Sequence, residues 1–137
     1  NISKNSVSSS ILPMLSSHSD AEGNSVYISS ERTPIIRLDS VADAYLNDSS
    51  NCFIKIDTQG YEWQVLDGAI NTLKKSKGIL CELSLIPLYE GQHLWKKMIE
   101  RFENEGFVLW SIQKAFTDKR NGRTLQIDAV FLRDNVI

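Results

Sequence analysis

The chain has 137 residues, 42% apolar and 23% charged, and fifteen Lys and Arg against seventeen Asp and Glu give a formal charge of −2. That length suits a single domain that buries a core without a disulfide or metal staple, and the slightly acidic balance argues against a nucleic-acid-binding surface, which carries a basic excess. No apolar run approaches the ~20 residues of a membrane span, and the opening "NISKNSVSSS" lacks the basic and apolar regions of a signal peptide, so the expectation is a soluble, cytoplasmic protein.

Residues 1–32 read as a Ser-rich N-terminal arm, either flexible or ordered only by packing, and residues 33–137 as an α/β domain. In the arm, "SSSILPML" is an apolar patch interrupted by Pro13, and "SHSDAEGNS" reads as a loop. "TPIIRL" alternates enough for a short strand, after which Asp39 and Ser40 offer N-cap oxygens to a helix over "VADAYL". "CFIKI", residues 52–56, is a buried-looking strand. A helix from about Tyr61 to Lys75 follows, with Trp63, Leu66, Ile70 and Leu73 on one face.

Gly78 interrupts the chain before a second apolar strand, "ILCELSL", which stops at Pro87. A second helix from about His93 to Asn104 places Trp95, Met98, Ile99 and Phe102 on one face, and Gly106 is a good C-terminal cap. Strand, helix, strand, helix at this spacing predicts parallel pairing with right-handed crossovers. "FVLWSI" and "TLQIDAVFL" are β-rich and flank "DKRNGR", so an antiparallel hairpin is expected, with Asn121-Gly122 as its turn or as part of a longer loop.

Asp57 follows the apolar strand directly, which places it at the strand's carboxyl end, where open α/β sheets bind ligands. Glu82 lies inside the next strand and comes near Asp57 if the two strands are neighbours. A carboxylate pair of this kind perturbs its own titration and can hydrogen-bond a hydroxylated ligand. On spacing alone, the simpler expectation is that Asp57 caps the amides of the following turn and Glu82 is a satisfied structural residue. His18 and His93 read as solvated surface residues, and Asp128 as a strand charge needing a structural partner. Trp63, Trp95 and Trp110 are assigned to the core. Tyr89 and Glu90, in "PLYEGQ", read as a loop tip that can rim a pocket. Cys52 and Cys81 read as reduced core thiols, with no Cys/His cluster for a metal. The glycines, at 23, 60, 68, 78, 91, 106 and 122, form no G-x-G-x-x-G or P-loop pattern, and no serine has a G-x-S-x-G context.

"RLDSV", "FIKIDTQGYEWQVLDGA", "ELSLIPLYEGQ" and "QIDAVFLR" occur in the order seen in FkbM-family methyltransferases, and "NSVSSSILPM" is also similar to a segment of that family. The resemblance covers almost the whole chain. It implies a Rossmann-like methyltransferase sheet with the order 3-2-1-4-5-7-6 and strand 7 antiparallel, in which "CFIKI" supplies strand 4, "ILCELSL" strand 5, "FVLWSI" strand 6 and "TLQIDAVFL" strand 7. It also implies S-adenosylmethionine as cofactor and a hydroxyl of a small molecule or sugar as methyl acceptor. By that resemblance Asp57 is the catalytic position, bordering cofactor and acceptor, with Gln59 beside it on the cofactor side. Glu82, Tyr89 and Glu90 would line the acceptor side.

The family's glycine-rich loop after strand 1 and its acidic residue after strand 2 would both precede residue 1. The chain is therefore expected to hold the later part of the fold, strands 4-5-7-6, without most of the cofactor site, and to be inactive alone. Without strand 1 the "CFIKI" strand becomes an apolar sheet edge that needs a cover. Either "SVYIS" or "PIIRL" folds back as an added strand, or two chains pair edge to edge at residues 52–56 as a homo-oligomer. The rival to the enzyme reading is a non-catalytic remnant serving as an oligomeric binding or scaffold module. A hydroxyl-ligand-binding protein using Asp57 and Glu82 is a third possibility. Neither nucleic acid nor membrane is an expected partner.

Overall fold

The computed structural model describes residues 1–47 and 50–133, and residues 134–137 of the expected domain lie outside that range. A mixed four-stranded sheet organises the chain, in the order β3 (Cys52–Ile56), β4 (Ser76–Ser84), β6 (Gln126–Arg133), β5 (Phe107–Lys114). β3 and β4 run parallel, and β6 is antiparallel to both of its neighbours. That is the order and direction expected for these four segments. β5 and β6 are joined by a loop, not a two-residue turn. In that loop the Asp118 carboxylate takes hydrogen bonds from Arg120 and Asn121, and Gly122 adopts φ 76°.

Alternation along each strand decides what the sheet buries. Ile56, Ile79, Cys81, Leu83, Ile127, Ala129, Phe131 and Phe107 point to one face, where Leu66, Leu73, Met98 and Phe102 of the helices cover them. The opposite face carries Phe53, 53% exposed, and the exposed Val108. β4 starts at Ser76 and runs through Gly78, which therefore does not break the strand. Gly78 pairs with Phe53, and a Cβ there would sit 2.7 Å from the Phe53 ring and 2.8 Å from Leu132. A missing side chain, not a turn, is the reason for that glycine. Trp110 is 56% exposed beside a register shift in β5, so the expectation that it packs in the core fails.

The helix expected over 61–75 is two: α2 (Glu62–Asp67) and α3 (Ile70–Lys75). Their junction is occupied by a distant segment. Asp39 N donates to Gly68 O, and the Asp39 carboxylate accepts from Asn71 N at 3.0 Å and from Thr72 N and Oγ1, both at 2.8 Å. Asp39 thus caps α3 and not a helix over "VADAYL", where only two 3₁₀ turns form, Leu38–Ser40 and Ala42–Ala44. α4 (Trp95–Asn104) buries Met98 and Phe102 as its spacing predicts.

The arm of residues 1–32 is ordered by packing. β1 (Ile2–Ser3) and β2 (Tyr27–Ser29) pair with each other, and the short α1 (Ser16–Ser19) lies between them in sequence. Neither "SVYIS" nor "PIIRL" pairs with β3, and "PIIRL" forms no strand, its Ile35 and Ile36 lying exposed. β3 ends the sheet, with its outer edge unpaired among the described residues. No helix among these residues is long and apolar enough to cross a membrane.

Candidate functional site

The site grows from the turn that closes β3. Asp57 follows the last strand residue, and the chain then takes φ 51° at Gln59 and 96° at Gly60. Gly60 is required twice over: that φ suits a residue without Cβ, and a Cβ would lie 3.0 Å from Tyr89 Cβ and Cδ2. The turn's amides are capped by Glu62, not by Asp57. Glu62 Oε1 accepts from Thr58 N at 3.0 Å, Thr58 Oγ1 at 3.2 Å and Gly60 N at 3.0 Å. Burial pushes the Glu62 carboxyl up from its ordinary value, against those three donors.

Freed from capping, Asp57 faces outward with its side chain 38% exposed, paired with Lys55 Nζ at 3.2 Å. The left-handed backbone at Gln59 turns that side chain back over the strand ends. Its Nε2 donates to Asp57 Oδ1 at 2.9 Å and to Glu82 Oε2 at 3.0 Å, while its Oε1 accepts from Tyr89 OH at 2.7 Å. Asp57 and Glu82 are thus joined through one amide. Gln126, on β6, donates a further N–H to the same Glu82 oxygen, Oε2. Burial, and then the neighbouring Asp57 carboxylate, push the Glu82 carboxyl up to about 8, so it is largely protonated at neutral pH. With Oε2 occupied by two N–H donors, the proton belongs on Oε1.

These groups line a cleft of about 320 Å³ together with Asn5, Val7, Ser8, His18, Glu22 and Phe116. Tyr89 is buried, not at a loop tip, and acts through Gln59 while its ring packs with Leu88 and Leu125. Glu90 is exposed and lies outside the cleft, its backbone N–H donating to Pro13 O. His93 stacks on Trp63 with ring centroids 4.1 Å apart, away from the cleft. His18 reverses its expected place: it is 3% exposed, set between Tyr89 and Phe116. Asp128 stands opposite Glu82 in the β4–β6 register without an ion pair among the described residues. Both cysteines are free thiols, and no group of three His, Cys, Asp or Glu among the described residues is placed to hold a metal.

The arm supplies one wall through Asn5, Val7 and Ser8, and Ser10 Oγ ties the arm to the turn by donating to Gln59 O at 2.6 Å. Asn5, Val7, Ser8, His18, Glu22, Phe116 and Gln126 are the lining residues that sequence reasoning missed. Gln126 had the only available signal, a polar residue beginning the strand that pairs beside Glu82. The cleft therefore combines an exposed carboxylate, a protonated carboxyl and side-chain amides, a set suited to hydrogen-bonding hydroxyl groups.

The model of the Methyltransferase FkbM domain family matches residues 2–109, a span that includes Asp57, Gln59, Glu82 and Tyr89. No curated protein and no solved structure matches the chain. The match runs over most of the 137 residues and contains the whole β3 turn on which the cleft is built, and on that basis the chain belongs to the FkbM methyltransferase family.

Proposed function

We propose that the cleft is the acceptor side of an S-adenosylmethionine-dependent O-methyltransferase built on a Rossmann-like sheet. The observation that carries this reading is the Gln59 amide shared between Asp57 and Glu82 at the carboxyl end of β3, within the span matched by the family. The cleft residues fit the sulfonium end of the cofactor, because the Asp57 carboxylate stands where a positive charge is favoured. For the nucleotide end, the seven glycines offer no clustered backbone cradle. When bound, the cofactor supplies an electrophilic methyl group. The chain's own part is to place the acceptor. Asp57 accepts the hydrogen bond of an incoming hydroxyl and, as the acceptor oxygen reacts, takes its proton. Glu82 Oε1 holds a proton that it can donate to a second oxygen of the same ligand. Gln59, which lines the cleft, and the buried Tyr89 behind it position both carboxyl groups. The two free thiols suit a reducing compartment, and the cytoplasm is the proposed location.

The test pairs binding with chemistry. Calorimetric titration of S-adenosylmethionine into the chain is expected to show binding that Asp57→Asn weakens. Methyl transfer to a panel of hydroxylated acceptors is expected to fall by about 10²-fold or more in Asp57→Asn. Full activity in that variant overturns the role of Asp57. Absence of binding at millimolar cofactor overturns the enzyme reading and favours a scaffold.

A second proposal concerns β3. Its outer edge is unpaired, and Phe53 lies exposed on the bare face beside it. An apolar strand leaves such an edge open at a cost in aggregation, and we infer that a second copy pairs there about a twofold axis. Light scattering on a sizing column is expected to give a dimer, which a charged substitution at Phe53 converts to monomer. A monomeric wild-type chain refutes the pairing.

A further inference from the structure

His18 is the buried group of this cleft with an unpartnered buried nitrogen, Nδ1. Its ring is clamped between Tyr89 and Phe116, with centroids 5.3 and 5.0 Å away, and it lines the cleft beside Asp57 and Glu82. Nδ1 is buried without a partner, and no described residue hydrogen-bonds to the other ring nitrogen. Burial keeps the ring below its ordinary pKa, so it is neutral at pH 7. A phenyl ring would fill that aromatic slot without the desolvation penalty of an unpaired nitrogen, so packing alone does not account for an imidazole there.

The side-chain amides of the lining are largely committed. Gln59 Nε2 is divided between Asp57 and Glu82, Gln126 Nε2 between Glu82 and Ser84, and Asn5 Nδ2 goes to Ser8 Oγ. What remains open to a ligand is the Asp57 oxygens, the Glu22 carboxylate, the Oε1 proton of Glu82 and the imidazole. Glu22 and Asp57 meet Lys119 and Lys55, whose side chains are 83% and 64% exposed and lie outside the lining. Among the described residues no Lys or Arg lines the cleft itself.

We propose that His18 is a ligand-contacting residue, and that the cleft takes an uncharged compound with at least two hydroxyl groups, one bonded to Asp57 and one to His18. With Nδ1 sealed in the wall, Nε2 is the nitrogen left to face the cleft, and a hydroxyl satisfies it in either tautomer because it both donates and accepts. Two carboxylates without a lining cation exclude phosphorylated or carboxylated ligands by like-charge repulsion. This inference rests on the acceptor-site reading and adds to it a second contact residue and the charge of the ligand.

The test is nitrogen-15 NMR on the whole chain, with glycerol as the probe and glycerol 3-phosphate as its charged counterpart. His18 and His93 are the only histidines, so His93 is an internal control. Glycerol is expected to shift the His18 Nε2 signal and the Gln59 side-chain amide along one saturation curve, leaving His93 unmoved. Glycerol 3-phosphate is expected to bind at least about tenfold more weakly. His18→Phe preserves the aromatic stack and is expected to keep its melting temperature while weakening the glycerol response at Gln59 about tenfold. A glycerol shift at Gln59 and Gln126 without one at His18 overturns the His18 assignment and leaves the acceptor site standing. Equal binding of the phosphate overturns the uncharged class. No shift at any cleft residue overturns both this inference and the acceptor-site reading.

Discussion

Glu82→Gln isolates the energetic cost of the protonated carboxyl at the centre of the site. In the folded chain this group titrates at about 8 against an ordinary 4.5. Folding therefore retains a proton that the unfolded chain has released between those two values. Stability is fully present below pH 4.5 and is lost as pH climbs through 8. At about 1.4 kcal/mol per pH unit, the interval corresponds to about 5 kcal/mol, and the contact Glu82 keeps with water screens this to about 2–4 kcal/mol. Gln in its place loses nothing essential in hydrogen bonding. Both Gln59 and Gln126 donate to one oxygen, Oε2, and an amide oxygen can accept both.

The variant should equal the wild type near pH 4.5 and exceed its stability by about 2–4 kcal/mol at pH 8–9. Urea unfolding followed by tryptophan fluorescence at pH 5, 6, 7, 8 and 9 reads this directly. His18, whose burial lowers its pKa, makes the folded chain less stable below its ordinary 6.5 in both proteins, so it cancels in the difference. A difference that stays flat from pH 5 to 9 refutes the claim that Glu82 is protonated in the folded state.

Two further substitutions probe the turn beneath the cleft. Glu62→Ala leaves Thr58 N and Gly60 N without their acceptor, which costs about 2–3 kcal/mol and lowers Tm by roughly 10 °C; Glu62→Gln, keeping an acceptor oxygen, should lose less than half as much by differential scanning calorimetry. Gly60→Ala forces a side chain to φ 96° and against the Tyr89 ring, which costs about 2–3 kcal/mol, and the displaced tyrosine should also change the near-ultraviolet circular dichroism. A Gly60→Ala chain as stable as wild type would contradict the packing of Tyr89 on the turn.

The sheet was legible because each strand is a distinct β-rich run and the crossover rule restricts how they pair. Asp57 and Glu82 could be brought together from sequence for the same reason: parallel neighbours align their carboxyl ends. What sequence reasoning lost were long-range substitutions of one partner for another. Asp39 looked like a cap for the residues after it, but its carboxylate reaches Asn71 and Thr72 and splits one expected helix into two. "PIIRL" alternates like a strand, yet finds no strand to pair with. His18 sits among Ser and Asp in a stretch that reads as loop, and only Tyr89 and Phe116, far along the chain, bury it. Nothing local distinguishes such a histidine from a solvated one.

The carboxylate pair does not by itself define this site; Gln59 does. Asp57 just after β3, Glu82 on β4, Tyr89 beyond β4 and Ser10 of the arm all bond to this one residue, through its side chain or its carbonyl. It reaches them only because its backbone adopts a positive φ, which Glu62 stabilises by holding the amides on either side. The same connectivity fixes what the cleft can recognise. Each amide proton used to tie the carboxyl groups together is withdrawn from any ligand, so the wall offers the Asp57 and Glu22 oxygens, the Glu82 Oε1 proton and one imidazole. A ligand that brings its own donors and no negative charge completes those hydrogen bonds, whereas an anion meets carboxylates with no lining cation to offset them. The proposed preference for an uncharged polyol therefore follows from how the turn is built, since the amide protons that hold Asp57 and Glu82 in place are the ones withheld from an anion.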